Sequence, residues 1–358
     1  MEIGIIGLAK SGKTTVFNAL TKGKADVGTY AAGPNIGIAK VPDPRLDVLA
    51  KMYQPKKKTA AEVKYTDIAA PTKGELRGEM LNHISQTECL LHVVRAFKNE
   101  NVPHIDGSVD SDRDIKAMDL ELTISDLSII EKRLRKIEDM LKSARVQERE
   151  AFHHEQALLG RIQSSLESET PLREIELTES ELKSLSGYQF LSAKPMLIVF
   201  NIGEDMLPQA EALEQEWRAK YKRPSVDVAA VCGELEMELA QLDDDEAEVF
   251  RTDMGITEAA LNRIVKLSYE LLGMISFLTT GSDEVKAWTV RRDTTAVQAA
   301  GKIHTDIERG FIKAEVISFD DLVKCGSIAE GRKHGLLHTE GKTHIVKDGD
   351  VINFLFNV

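Results

Sequence analysis

The stretch Gly7-Leu8-Ala9-Lys10-Ser11-Gly12-Lys13-Thr14 fits the pattern G-x-x-x-x-G-K-[ST], the spacing of a phosphate-binding loop. Its flanks fit as well. The apolar run Ile3-Gly4-Ile5-Ile6 precedes it and reads as a buried strand, and Thr15-Val16-Phe17-Asn18-Ala19-Leu20 follows as the start of a helix. Strand, glycine loop and helix form the setting in which such a loop works. Glycines let backbone N–H groups turn inward into a concave anion site, and the helix N-terminus adds partial positive charge. Residues Ala9, Lys10, Ser11, Gly12, Lys13, Thr14 and Thr15 are therefore the candidate phosphate contacts. Lys13 is placed to reach the terminal phosphates, and the Thr14 hydroxyl to hold Mg²⁺.

A loop of this kind needs a carboxylate on the metal side and a loop that reads the base. Asp67, closing the apolar-alternating run Val63-Lys64-Tyr65-Thr66, is the candidate to hold Mg²⁺ through water. Asn201-Ile202-Gly203-Glu204 follows the apolar strand Met196-Leu197-Ile198-Val199-Phe200. There Asn201 would offer its amide to the purine edge and to the phosphate-loop backbone. GTPases commonly carry N-K-x-D at this point, whose Asp accepts two guanine N–H groups. Ile202 and Glu204 replace that Lys and Asp, so guanine selectivity is expected to be weak and adenine to be admitted. Cys232 and Gly233 follow the next strand, where a second base-contacting loop belongs.

Working outward, residues 1–115 alternate short apolar runs with helical segments, with strands expected at 2–6, 36–41, 63–68 and 90–97. That is the pattern of an α/β sheet covered on both faces. Near Met118 the texture changes. Leu120, Leu127, Ile130, Leu134, Ile137 and Leu141 form a heptad seam, and Phe152, Leu159, Ile162 and Leu166 mark a second charged helix. The two read as an antiparallel helical hairpin, and 178–189 as a short helix leading back. Strands at 196–200 and 226–231 restore the sheet, so the hairpin is an insertion. Residues 234–274 read as helical, with an acidic patch at Asp243-Asp244-Asp245-Glu246. Past Ile275, strands are expected at 285–290, 312–317, 343–346 and 351–357, with a helix at 295–309. The expected organisation is a nucleotide-binding domain at 1–117 and 191–274, an arm at 118–190 and a small α+β domain at 275–358.

The 358 residues carry a net charge of −12, which argues against bulk attraction to nucleic acid, and no DNA partner is expected. The basic clusters at Lys51, Lys56–Lys58 and at Arg133, Arg135, Lys136 read as solvated faces. No apolar run reaches membrane-spanning length, and the first residues already belong to the nucleotide strand. Cys89, Cys232 and Cys325 have no metal-ligand spacing. A cytoplasmic protein with reduced thiols and no membrane contact is expected.

The chain resembles the YchF/Obg-like ATPases along nearly its whole length. The resemblance rests on the phosphate loop with Phe17-Asn18-Ala19-Leu20-Thr21, on Val41-Pro42-Asp43-Pro44-Arg45-Leu46-Asp47, on Asp67-Ile68-Ala69 and on His92-Val93-Val94-Arg95-Ala96-Phe97. It continues through Asn201–Glu204, Ala287-Trp288-Thr289, the run from Ile303 to Val316 and Asp348-Gly349-Asp350-Val351. It implies a Ras-like domain with a coiled-coil arm and a C-terminal β-grasp domain of TGS type. It implies ATP preferred over GTP, Mg²⁺ dependence and association with the ribosome, its large subunit or another RNA–protein complex. It also implies phosphate contacts from Lys10 to Thr15, Mg²⁺ on Thr14, and adenine contacts from Asn201, Ile202 and Glu204.

Both switch regions depart from the family pattern. Tyr30-Ala31-Ala32-Gly33-Pro34-Asn35 is short and lacks the metal-binding Thr, with Thr29 the nearest hydroxyl. The usual D-x-x-G has become Asp67-Ile68-Ala69-Ala70, followed by a shortened Pro71–Gly78. These changes fall where the γ-phosphate is sensed. Three readings follow: a slow ATP hydrolase, a nucleotide-binding interaction module with little hydrolysis, and a GTPase.

Overall fold

The computed structural model describes residues 1–23, 25, 33–68, 79–254, 256 and 259–357. Among these, the strands in chain order are β1 (Glu2–Ile6), β2 (Asn35–Lys40), β3 (Lys57–Thr59), β4 (Glu62–Asp67), β5 (Cys89–Arg95), β6 (Met196–Asn201), β7 (Val226–Val231), β8 (Met274–Thr279), β9 (Glu284–Arg291), β10 (Phe311–Ser318), β11 (His338–Glu340) and β12 (Asp350–Phe356). The chain packs as two compact units, one of residues 1–38 and 64–264, the other of residues 39–63 and 265–358. Residues 39–63, which the sequence alone groups with the nucleotide-binding domain, thus pack in the second unit.

The first sheet runs β2-β4-β1-β5-β6-β7, with β4, β1, β5, β6 and β7 mutually parallel. β5 and β6 are buried at every residue, as expected of central parallel strands covered on both faces. Register pairs Ile5 with Asp67, Arg95 with Asn201 and Asn201 with Val231. It therefore brings the carboxyl ends of β1, β4, β5, β6 and β7 to one edge, where ligands bind in open α/β sheets. On one face, Leu90, Val94, Ile198 and Phe200 pack against Ile115, Met118 and Leu122 of the long helix Ser111–Ser143. Phe200 also stacks on Trp217 at 4.1 Å between ring centres.

That long helix leaves the body and pairs with helix Val146–Glu167 as a hairpin. Ile130 and Ile137 meet Leu158, Leu159, Ile162 and Leu166, with Leu127, Leu134, Leu141 and Phe152 at the margins. Leu120 is the exception to the expected seam: it is exposed. At this depth the helix still belongs to the body, and its inward positions are Met118 and Leu122, roughly half a turn from Leu120. Arg133 forks onto Glu155 across the hairpin with two 2.8 Å hydrogen bonds. Such a partly exposed pair contributes about 1 kcal/mol at most, whereas each buried Leu or Ile contributes roughly 2 kcal/mol, so the apolar seam holds the hairpin. Where the chain returns, buried Asp126 accepts the N–H groups of Leu191 and Ser192, both at 2.8 Å, and the Ser192 hydroxyl at 2.6 Å. Burial pushes its pKa up to about 6, against the pull of these donors.

In the second unit the sheet order is β11-β10-β12-β8-β9-β3. β10 lies antiparallel to both β11 and β12, and β8 antiparallel to β9. Helix Ala296–Ile303 lays Ala296, Ala299 and Ala300 on Phe277, Phe311, Val316 and Phe354. A capping box starts it, the Thr295 N–H donating to Gln298 Oε1 at 2.9 Å. The expected strand at 343–346 is absent. Ile345 makes one isolated bridge to Thr295, because the turn at Gly349, with φ of 83°, follows too soon for a ladder to extend. β3, β8 and β11 were not anticipated as strands. The basic clusters are compensated: Lys56 pairs with Asp283 at 2.8 Å, Lys57 with Glu284 at 3.5 Å, and Lys58 with Asp47.

His92 is the anomaly in the core. It sits in the middle of β5, is 1% exposed, and neither ring nitrogen has a hydrogen-bond partner among the described residues. Burial lowers its pKa from 6.5 to about 4. The unfolded chain therefore takes up a proton near pH 6.5 that the folded chain refuses until about pH 4. The stability this group supplies is complete above pH 6.5 and falls as pH drops toward 4. Between pH 7 and pH 5 the loss should be about 2 kcal/mol. Urea unfolding at both pH values should show that excess loss in the parent protein and not in His92→Leu, which should also be no less stable at pH 7.

Candidate nucleotide-binding site

The loop between β1 and helix Lys13–Thr21 needs its glycines for two different reasons. Gly7 has φ of 147°, and a Cβ there would lie 2.4 Å from the Val93 carbonyl oxygen. Gly12 has φ of 92°, and a Cβ there would lie 2.1 Å from Asn201 Nδ2. Lys10 also adopts a left-handed conformation, φ 64°. Gly12 caps the helix without a side chain, and no acidic residue stands in the first turn. No side chain thus competes with a ligand at the helix N-terminus, the arrangement that binds phosphate.

Lys13 is 4% exposed, and its ammonium donates to the Leu8 carbonyl at 3.0 Å. Burial lowers its pKa to about 8, with Asp67 pulling the other way. Thr14 Oγ1 donates to Asp67 Oδ2 at 2.8 Å, and Asn35 Nδ2 donates to the same oxygen at 3.3 Å. Asp67 is fully buried, and its Oδ1 has no hydrogen-bond partner among the described residues. Burial raises its pKa, while Thr14, Asn35 and Lys13 oppose the rise. The buried Ser11 hydroxyl likewise lacks a partner among the described residues. Ala9 and Thr15 are half-buried and Lys10 is exposed.

These groups fit Mg²⁺. Thr14 gives its one proton to Asp67, which leaves oxygen lone pairs as the face a cation would use. The orphaned Asp67 Oδ1 is a second hard oxygen donor, and Mg²⁺ is commonly held by one or two such groups together with nucleotide phosphates. Sequence reading missed Asn35, which stands at the start of β2 just after the shortened first switch. The first-switch residues 29–32 and the second-switch residues 69–78 lie outside the described residues.

Asn201 is a brace. Its Nδ2 donates to the Ser11 carbonyl at 3.0 Å, and its Oδ1 accepts the Gly233 N–H at 3.0 Å. One amide thus ties the phosphate loop to the start of helix Gly233–Leu239. Ile202 and Cys232 bury their side chains with Leu235 and Leu239, so a nucleotide would meet them through backbone. Glu204, exposed at the head of a short 3₁₀ helix, keeps its carboxylate in solvent. The three cysteines are free thiols, and no helix among the described residues is long and apolar enough to cross a membrane.

A parallel α/β sheet with this loop, lysine, threonine and strand-end aspartate defines a P-loop protein of the nucleotide-hydrolase class. Residues 274–357 match the family profile YchF-GTPase_C, described as a protein of unknown function (DUF933). Over 368 residues the chain is 38% identical to the "Ribosome-binding ATPase YchF" of Bacillus subtilis (strain 168), covering all of both chains. Over 365 residues it is 38% identical to the protein of the same name from Escherichia coli O157:H7, covering 100% of this chain and 99% of that one. The Schizosaccharomyces pombe YchF GTPase structure superposes with a TM-score of 0.88 at 28% identity, covering 99% of this chain and 97% of that chain. The chain belongs to the YchF family.

The brace makes Gly12 the least replaceable residue of the loop. Gly12→Ala should drive a methyl into the Asn201 amide and strain a positive φ, weakening nucleotide binding by roughly tenfold or more. Titration with a fluorescent ATP analogue measures it. Unchanged affinity would mean that the loop does not hold the phosphates.

Proposed function

We propose that this chain is a Mg²⁺-dependent ATPase that hydrolyses slowly and uses its nucleotide state to regulate binding to the ribosome. The observation carrying this reading is the Thr14–Asp67 contact beside buried Lys13, at the head of a helix that no side chain caps. In it, the backbone from Lys10 to Thr15 cradles the phosphates and Lys13 offsets the charge growing on the terminal oxygens. Thr14 and Asp67 would hold Mg²⁺ through their oxygens. Mg²⁺ held there would neutralise phosphate charge. Ile202 and Glu204 in place of the guanine-reading Lys and Asp support ATP over GTP.

The ribosomal partner and ATP as substrate rest on the named relatives from Bacillus subtilis and Escherichia coli, and a cytoplasmic location follows from the ribosomal partner. We assign the TGS role to residues 275–358, a coiled-coil arm to 118–190 and nucleotide binding to 1–117 and 191–274, except residues 39–63 and 265–274, which pack in the second unit. The test is phosphate release at saturating Mg²⁺·ATP, with and without ribosomes. The parent should exceed Lys13→Ala by roughly a hundredfold, ribosomes should alter the rate, and ATP should outcompete GTP. Release equal to that of Lys13→Ala with ATP still bound would leave a nucleotide-gated binding module. Stronger competition by GTP would make it a GTPase.

A further inference from the structure

The phosphate loop holds a second lysine whose side chain the site leaves without a role. Lys13 is turned inward: it is buried, and its ammonium donates to the Leu8 carbonyl. Lys10 is exposed, and its side chain has no hydrogen-bond or ion-pair partner among the described residues. Its backbone is strained. The loop turns through positive φ at Gly7 (147°), Lys10 (64°) and Gly12 (92°). Glycine adopts such angles freely, whereas a residue with a Cβ does so at a cost. A lysine thus stands at a turn that glycine would fill more easily. Strain kept in a ligand-binding loop marks a residue that is used there.

The charges of the filled site indicate the use. A Mg²⁺ nucleotide remains anionic, and Asp67 lies close enough to Lys13 to offset its charge. In hydrolysis, water forms a bond to the γ-phosphorus, and the bond from that phosphorus to the β–γ bridging oxygen breaks. The electron pair stays on the bridging oxygen, which leaves as part of ADP. One proton of the water remains on the released phosphate and the other passes to solvent. Negative charge therefore grows on the bridging oxygen in the transition state, and a cation placed beside it lowers the barrier. We infer that Lys10 is a catalytic residue, a cation supplied by the loop itself that stabilises this growing charge. Its flexible four-carbon stem carries a compact ammonium from a loop whose backbone already faces the phosphates. The inference rests on the ATPase reading and adds a group to its machinery.

The experiment compares the full chain with Lys10→Gly, Lys10→Arg and Lys13→Ala. Lys10→Gly removes the charge and relieves the positive φ, so a loss in this variant does not come from a strained loop. It should bind ADP as the parent does, yet release phosphate from saturating Mg²⁺·ATP roughly tenfold more slowly. Its affinity for ADP with aluminium fluoride, which copies the transferring phosphoryl group, should fall by a similar factor. Lys10→Arg keeps the charge and should retain most of the rate. Unchanged release and unchanged aluminium fluoride binding in Lys10→Gly, beside a Lys13→Ala that has lost both, would overturn the inference and leave the ATPase reading standing. An equal loss of ADP affinity would make Lys10 a binding group alone, and a Lys10→Arg no faster than Lys10→Gly would show that charge is not the cause; either result overturns the catalytic role. Release in the parent no faster than in Lys13→Ala would overturn the ATPase reading and this inference with it.

Discussion

The close approach of Gly12 to the Asn201 amide is the constraint on which the site depends. Parallel register puts the ends of β1, β5 and β6 side by side, and Asn201, the last residue of β6, reaches across to the Ser11 carbonyl. The same side chain holds Gly233. A loop closed by its own backbone hydrogen bonds alone would be free to rearrange, because its N–H groups must stay available to a ligand. The amide fixes the loop from outside without consuming those donors. It does so only because position 12 has no Cβ.

Much of this was legible in the sequence, for physical reasons. The phosphate loop is legible because glycine spacing and a Lys-Thr pair are demanded by anion geometry. The central strands are legible because burial on both faces writes unbroken apolar runs such as Met196–Phe200. The seam from Leu127 to Leu141 was readable because its period is helical, and Leu120 misled because a period does not say where a helix leaves the body. The short β3 and β11 carry too few residues for a pattern. That residues 39–63 pack with 265–358 was hidden, since Arg45 finds Asp348 at 2.8 Å across some three hundred residues of chain. Asn35 was hidden for a similar reason: its partner is Asp67, and no local spacing announces that contact.

Charge is distributed in a way that the net value of −12 conceals. The basic clusters that would draw an anionic partner are largely occupied, Lys56, Lys57 and Lys58 each by a carboxylate and Arg133 by Glu155. The surplus of acid is concentrated instead along residues 238–254. Surface pairs contribute little to stability, so this segregation is better explained by what each surface meets than by what holds the fold together.

Asp67 is where binding and conformation meet. One of its oxygens already receives Thr14 from the phosphate loop and Asn35 from the first residue of β2, while the other has no partner among the described residues. A buried carboxylate in that condition carries a desolvation cost that a cation or a donor water relieves. Metal and phosphate arriving together would satisfy the orphaned oxygen and redistribute the shared one. Thr14 and Asn35 share Oδ2, so the phosphate loop and the start of β2 meet at one oxygen. A bond of 3.3 Å to a shared acceptor is the weaker of the two contacts and the first to yield.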